Sequence, residues 1–299
     1  MGEISVKTGN NARNGGKNSL NRLIRCVCGK KIGPDPRNFN QRVSLGRNDL
    51  LIRTFPKSVA ITVDSADGYI RASAQSNFDQ CGELTGSSVK EVKTSPGPKN
   101  VFTTINEIQL NRTEFGWRIQ LDANGVIVDN NSQKATQLYR QTLEGMYQLN
   151  NNGLISHVVN RSIIAATKPG DKDKTTVGAI DYVFNSSGLL ARVVSKGSLA
   201  IDNYTTVYSY DDNDRLIKTE SPSTIEEYTY DNEGRDLSLS KTQTYFTIGK
   251  NLTTCEEWNS HGECTRANMD TTIVPADRTG KQYVEKHKAV MTTKYEYWN

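Results

Sequence analysis

The chain has 299 residues, 37 Lys and Arg against 33 Asp and Glu for a formal net charge of +4, and a hydrophobic share of 35%. This length supports one large or two modest domains. No stretch approaches the roughly 18 consecutive apolar residues of a membrane helix, which excludes a helical membrane protein and leads to the expectation of a soluble chain.

Charge is unevenly divided along the chain: residues 1–58 hold 12 Lys and Arg against 3 Asp and Glu, and the remainder holds 25 against 30. Residues 1–18 have almost nothing to bury and are expected to form a flexible basic arm. A mostly β N-terminal region is expected over 19–95, with a short mixed segment at Leu20, Leu23 and Ile24 and alternation over 43–55. Asp64 to Gly68 then reads as a turn between a Val59–Val63 strand and one beginning at Tyr69 and Ile70. Ser95, Pro96, Gly97 and Pro98 break the pattern, because Pro removes donors and Gly loosens the chain, and they set a boundary ahead of a repeat region at 99–299. One helix is expected at about 133–144. Ser132 can cap it, Ala135, Leu138, Tyr139, Thr142 and Leu143 recur near helical spacing, and Gly145 can end it. Residues 168–174 read as an exposed polar loop.

Six segments of the repeat region share one pattern: large residues in alternation, Asp or Asn, two variable residues, Gly, and a short run with aliphatic residues. Five run from Trp117 through Asp122 to Gly125, Tyr147 through Asn150 to Gly153, Tyr182 through Asn185 to Gly188, Tyr228 through Asp231 to Gly234, and, more loosely, Trp258 through Asn259 to Gly262. In the sixth, Tyr208 through Asp211 reaches Asp214 where the others have Gly. Each reads as a β-hairpin: period-two residues cover one face, Asp or Asn caps the following amides, and Gly takes the left-handed position of a type I turn with a bulge. Asp214 suits the same slot, since Asp tolerates positive φ better than most residues.

Tyr208-Ser-Tyr210-Asp211 followed by Arg215 and Leu216, and Tyr228-Thr-Tyr230-Asp231 followed by Gly234 and Arg235, resemble the YD repeats of the RHS family. The resemblance is strongest over 182–237. It implies a sheet of hairpins spiralling into a shell, with toxin encapsulation, carbohydrate contact or cell-surface adhesion as roles. Large members have many more repeats, and the toxin-delivering ones carry a core signature with Asp-Pro ahead of a cleaved toxin. Here the sole Asp-Pro is Asp35-Pro36, near the opposite end, which argues against a caged toxin. The expected fold is therefore all-β: antiparallel hairpin repeats forming a curved or partly closed sheet, with the one short helix.

Cys255 and Cys264 flank the last segment, whose return through Asn259 to Gly262 brings them within cross-strand reach. A disulfide is expected, contributing about 2–3 kcal/mol for so small a loop. Cys28 with Cys81 is the second candidate bridge, and Cys26 competes with Cys28 for that partner. Disulfides imply an oxidising compartment, hence a periplasmic or extracellular location. The alternative is a cytoplasmic protein with unpaired thiols, since the first residues show no signal peptide.

Little in the sequence points to catalysis. His157, His261 and His287 lack metal-ligand spacing to one another or to Cys, and Cys26-Val-Cys28 lacks the second pair a zinc site needs. No catalytic, cofactor or metal residue is assigned and no cofactor is expected. Tyr182, Tyr208, Tyr210, Tyr228 and Tyr230 read either as sugar-stacking residues or as the sheet's own core. Arg13, Lys17, Arg22 and Arg25 are candidate partner-binding residues that steer an acidic surface, whereas nucleic acid is not expected, because the arm lacks interleaved aromatics. The functional expectation is a non-enzymatic envelope or secreted interaction protein that binds a protein or a glycan. Alternatives are an immunity protein neutralising a secreted effector toxin, and an enzyme whose site has no local signature.

Overall fold

Alternation at period two runs through nearly all of the chain beyond residue 55, and in the computed structural model it becomes sixteen strands. The structure describes residues 56–299 apart from 81, 98, 115, 151–153, 168–169, 199–201, 245–246, 276–283 and 299. The strands are β1 (Pro56–Ser65), β2 (Ile70–Phe78), β3 (Leu84–Pro96), β4 (Asn100–Thr113), β5 (Gly116–Asp129), β6 (Ala135–Leu149), β7 (Ile155–Ile164) and β8 (Lys174–Phe184), followed by β9 (Leu190–Gly197), β10 (Tyr204–Tyr210), β11 (Leu216–Glu220), β12 (Thr224–Tyr230), β13 (Asp236–Thr244), β14 (Thr247–Trp258), β15 (Cys264–Pro275) and β16 (Glu285–Tyr297). Each pairs antiparallel with its sequence neighbours.

β1 also pairs with β16, so the expected curved or partly closed sheet is instead a closed barrel in simple meander order. Two open edges would have left rows of backbone N–H and C=O groups unpaired, and the closing register from Pro56↔Tyr297 to Ser65↔Ala289 removes both. Partners followed from Ser58 through Asn77, Gly86, Asn111, Arg118, Met146, Val159 and Ala179 to Lys196 climb from the start of β1 to the far end of β9. That stagger is what tilted staves require in order to close.

The register also sorts side chains onto two faces. Val63, Ala72, Glu91, Asn106, Ala123 and Gln141 share one face across six strands, and Tyr208, Thr219, Glu226, Lys241, Asn251, Thr271 and His287 share the same face across seven. Val63, Ile70, Ala123, Val158, Leu190, Cys255, Ala267 and Ala289 are buried on this face, together with the hydroxyls of Ser162, Thr176, Thr219 and Thr293. Side chains converge on the concave side of a barrel and diverge on the convex side, so this is the lumenal face. The opposite face carries the cross-strand ion pairs Asp64–Arg71, Lys90–Glu107, Arg118–Glu144, Asp122–Arg140, Lys196–Asp181 and Lys288–Asp270. It also carries the exposed Val159, Val177, Val207 and Leu252. Sixteen staves about 4.8 Å apart and tilted give a barrel about 30 Å between opposing backbones if round, too wide for side chains to fill. Accordingly, among the described residues Val158 is the largest side chain that is fully buried.

One end of the barrel is built from a single turn used repeatedly. At Asn185, Asp211, Asp231 and Asn259 the first amide donates to the carbonyl four residues on, and the amide three residues on donates back. The Asp or Asn Oδ1 accepts two further amides in each turn, such as Asn213 and Arg215 at Asp211, or Glu233 and Arg235 at Asp231. Gly188, Gly234 and Gly262 sit at φ near +80°, and Asp214 holds the same slot at φ 61°. These turns are the ones read from the sequence. Asp79 makes one more, with Gly82 at φ 74° and the Glu83 amide on Asp79 Oδ1; the sequence reading passed over it.

Two expectations fail in one place. Asp122 to Gly125 is not a turn but the middle of β5, paired with Glu107 to Thr104 on one side and Thr142 to Tyr139 on the other. Gly125 is a notch there: a Cβ would lie 2.2 Å from the Tyr139 ring. The turn comes later, where Asp129 Oδ1 accepts the amides of Asn131 and Ser132 and Gln133 takes φ 55°. Ser132 is thereby used in a turn rather than as a helix cap, and residues 135–149 form β6 instead of the expected helix. Tyr139, Gln141, Leu143, Gly145 and Tyr147 alternate onto the lumenal face opposite Gly125, Ala123, Leu121, Ile119 and Trp117. Gly145 lies in mid-strand, where an added Cβ would be 3.0 Å from Ile119 and 3.1 Å from the Val159 carbonyl. Ser95 and Pro96 pair with Phe102 and Val101 at the end of β3, so the expected break lies within a hairpin, and the Gly97 amide donates to the Asn100 carbonyl in the turn into β4.

The seam is held at both ends. At one end Asp67, in the β1–β2 turn, accepts from His287 Nδ1 of β16 at 2.7 Å, and the His287 ring stacks on Tyr69 at 3.7 Å. At the other end Ser58 donates to Glu296, and Lys57 lies over the Trp298 ring. The hydrogen bond from His287, then that from the Tyr69 amide, holds the Asp67 carboxyl at about 2.

A carboxylate depressed in the folded state contributes stability above its unfolded pKa, and that contribution is lost as pH falls through the folded value. Asp67→Asn should therefore lower stability at neutral pH by about 1 kcal/mol or less, given its exposure, and flatten the loss between about pH 4 and pH 2. Urea melts across that range check this, and equal slopes in both proteins would exclude the seam pair as a contributor. At the turns, Gly234→Val should cost about 1–3 kcal/mol by forcing a β-branched residue to positive φ, while Ser187→Ala stays near zero. Similar midpoints for the two variants in denaturant melts would contradict this account of the turn.

Candidate functional site: the tyrosine-lined lumen

The lumenal register gathers the aromatic residues that the alternation pattern had singled out. Tyr147 opposes Val158, Tyr182 opposes Val193, Tyr208 opposes Thr219, and Tyr228 opposes Leu239. Burial raises the phenol pKa of Tyr147, Tyr182, Tyr208 and Tyr228, and pushes Tyr210 and Tyr230 up to about 12. All are therefore neutral hydroxyl groups at physiological pH, able both to donate and to accept.

Near the Asx-turn end the aromatics have a structural task. Tyr210 donates to the Leu190 carbonyl at 2.8 Å, Tyr230 to Leu216 at 2.7 Å, Trp258 Nε1 to Asp236 at 3.1 Å, and Tyr295 to Cys264 at 3.3 Å. Each bond links the end of one strand to the first residue of the strand before it, and so ties successive hairpins together where no loop connects them. Arg215 bonds to Asp211 Oδ2 at 2.7 Å and lays its guanidinium 4.5 Å over the Tyr230 ring; Arg235 does the same with Asp231 and Trp258. The Asp211 and Asp231 carboxylates are thus partnered by the chain itself. Cys255 and Cys264 are joined by a disulfide across the β14–β15 turn, with Cα atoms 5.9 Å apart. Register shifts between Cys255, Glu257 and Trp258 bring the two cysteines together.

Toward the opposite end, the wall changes character. Tyr204, Thr206 and Tyr208 of β10, Thr219 of β11, and Thr224 and Glu226 of β12 line an open recess of about 210 Å³, together with Ser221 and Ser223. Glu226 sits at its base, 2.9 Å from Lys241 Nζ, and accepts from Thr219 Oγ1 at 3.1 Å and from the Tyr228 hydroxyl at 3.0 Å. Burial pushes this carboxyl up, but Lys241 and the two hydroxyls outweigh it and leave the pKa below the usual value. Sequence reading missed Glu226, Lys241 and Thr219, whose alternation gives no sign that three strands bring them together.

His157 pairs with Asp181 at 2.6 Å on the convex face, His287 lies at the seam, and His261 packs on Tyr297 at the turn end, so the histidines do not meet. Among the described residues no group of three His, Cys, Asp or Glu is arranged to hold a metal ion. Arg13, Lys17, Arg22, Arg25, Cys26, Cys28 and Cys81 lie outside the described residues.

No family model and no curated protein matches the chain. Among solved structures, a porin-like protein from Bacteroides uniformis is similar at 11% identity and a TM-score of 0.43, covering 81% of this chain and 98% of that one. A TcdB2-TccC3-TEV structure is similar at 12% identity and a TM-score of 0.20, covering 80% of this chain and only 17% of that one. Among the described residues no helix is long and apolar enough to cross a membrane, which leaves crossing by strands a separate question.

The hairpin ties can be measured. Tyr230→Phe should cost about 0.5–1.5 kcal/mol by removing its bond to the Leu216 carbonyl. A double-mutant cycle between Arg215→Ala and Tyr230→Ala should give a coupling of about 0.5–1 kcal/mol from the stacked guanidinium. Strict additivity in that cycle would show that the stack contributes nothing.

Proposed function

We propose that this protein is a non-catalytic binding barrel that works outside the cytoplasm and takes a protein or glycan ligand at its lumenal wall. The observation that carries the reading is the division of the two faces. Sixteen strands suffice for an aqueous channel in a membrane, but a membrane barrel is apolar outside and polar within. Here the convex face carries Arg71, Lys90, Arg118, Arg140, Arg161, Lys196 and Lys288 among exposed aliphatic residues such as Val159 and Leu252, while the lumen combines tyrosines, aliphatic residues and hydroxyls with the locally paired charges Glu91–Lys93 and Glu226–Lys241. Each Arg or Lys facing lipid at mid-depth costs about 2–4 kcal/mol. The charged wall therefore favours water outside the barrel and a ligand inside it, and the Cys255–Cys264 bridge supports an oxidising compartment.

The barrel should fold without detergent and stay in the aqueous fraction when mixed with phosphatidylethanolamine–phosphatidylglycerol vesicles. When oligosaccharides and unstructured peptides are titrated against it, binding should fall with Tyr182→Ala and persist with the convex-face substitution Arg192→Ala. Folding that requires detergent, or binding lost only through Arg192, would refute the reading.

A further inference from the structure

The recess between β10 and β12 has a chemistry that selects among ligands, and its assignment rests on the reading of the lumen as a binding wall. We propose that it is a subsite for one ring of a neutral saccharide.

Three observations lead there. First, the recess has no net charge to offer: Lys241 compensates Glu226 at 2.9 Å, and both carboxylate oxygens are already bonded within the wall. A phosphate, carboxylate or ammonium ligand would find no unpaired counter-charge and would be desolvated against a closed pair. Secondly, what the recess does offer is hydroxyl groups. Those of Tyr204, Thr206 and Tyr208 make no hydrogen bond to another described residue, and Tyr204 is 40% exposed. Unpaired hydroxyls at fixed positions match a ligand that is itself dense in hydroxyls, since each side can donate and accept.

Size is the third observation. At about 210 Å³ the recess falls below the roughly 300–1,000 Å³ of sites that enclose drug-sized ligands. A recess of this size suits one small ring rather than a folded partner. A longer oligosaccharide would extend from it along the lumenal wall past Tyr182, which neighbours the recess through the β8 to β10 register.

The test is isothermal titration of the full chain with a panel of neutral hexose oligosaccharides, alongside uronic-acid oligosaccharides of the same lengths. Neutral members should bind with little dependence on salt, and acidic ones at least about tenfold more weakly. Tyr208→Ala and Thr206→Val should each weaken neutral binding about tenfold or more while thermal melts stay close to wild type. Glu226→Gln should leave Lys241 uncompensated, and so reduce the preference for neutral over acidic saccharides. The proposal is overturned if no neutral saccharide binds, or if these three variants leave affinity and charge preference unchanged. If recess variants are silent but Tyr182→Ala abolishes saccharide binding, the lumen binds ligand and this subsite is wrong. If peptides bind at the lumen and no saccharide does, the binding-barrel reading survives and the saccharide assignment fails.

Discussion

The structure depends on closure of β1 against β16. No helix covers either end of the sheet among the described residues, so every strand relies on a neighbour on both sides for its backbone hydrogen bonds. The Pro56–Ser65 to Ala289–Tyr297 register is the contact that makes those neighbours available to all sixteen. Among the described residues it is also the longest-range pairing, and it must wait until the intervening hairpins exist, because loop closure costs entropy before such contacts contribute. Side-chain ties cluster there for that reason: Asp67 with His287, Tyr69 stacked on the same ring, and Ser58 with Glu296.

Between neighbouring hairpins the same problem appears in smaller form. A hairpin is covalently joined to the next at one end only, and at the other end the two strands would splay as the barrel tilts. The aromatic hydroxyl or indole that reaches back to the previous strand's first carbonyl, as Tyr210, Tyr230, Trp258 and Tyr295 do, closes that gap. The Asx turn and its arginine stack then orient the aromatic ring. This division places rigidity at the turn end and leaves the opposite end free to carry polar wall residues such as Thr206, Thr219 and Glu226. The structural ties and the polar wall residues thus occupy different heights of one sheet.

The division of the two faces governs what the barrel can do. Closed sheets of this size are wide enough to be hollow, so the lumen is a surface and not a core, and its residues retain partial contact with water. Charges there include the local pairs Glu91 with Lys93 and Glu226 with Lys241. Outside, opposite charges on adjacent strands face one another, and each such exposed pair contributes little to stability.

The sequence by itself determined most of the turns at one end of the barrel. Asp or Asn followed three residues later by Gly or Asp can close its turn through contacts within five residues, which is why the turns at Asn185, Asp211, Asp231 and Asn259 were legible, and with the last of them the Cys255–Cys264 bridge; Asp122 and Gly125 fit the same spacing, yet pairing with β4 and β6 holds them extended. The turn at Asp79 obeys the same rule and was passed over because its flanking alternation is less aromatic. Where competing local signals had similar strength, tertiary context decided: Ala135 to Leu149 has near-helical apolar spacing, yet Gly125 and Gly145 offer notches and partners only to an extended strand. Closure, the choice of the tyrosine face as lumen, and the meeting of Thr219, Glu226 and Lys241 were decided only by tertiary structure. Each depends on register summed around sixteen strands, and one added residue would move a strand's side chains to the opposite face.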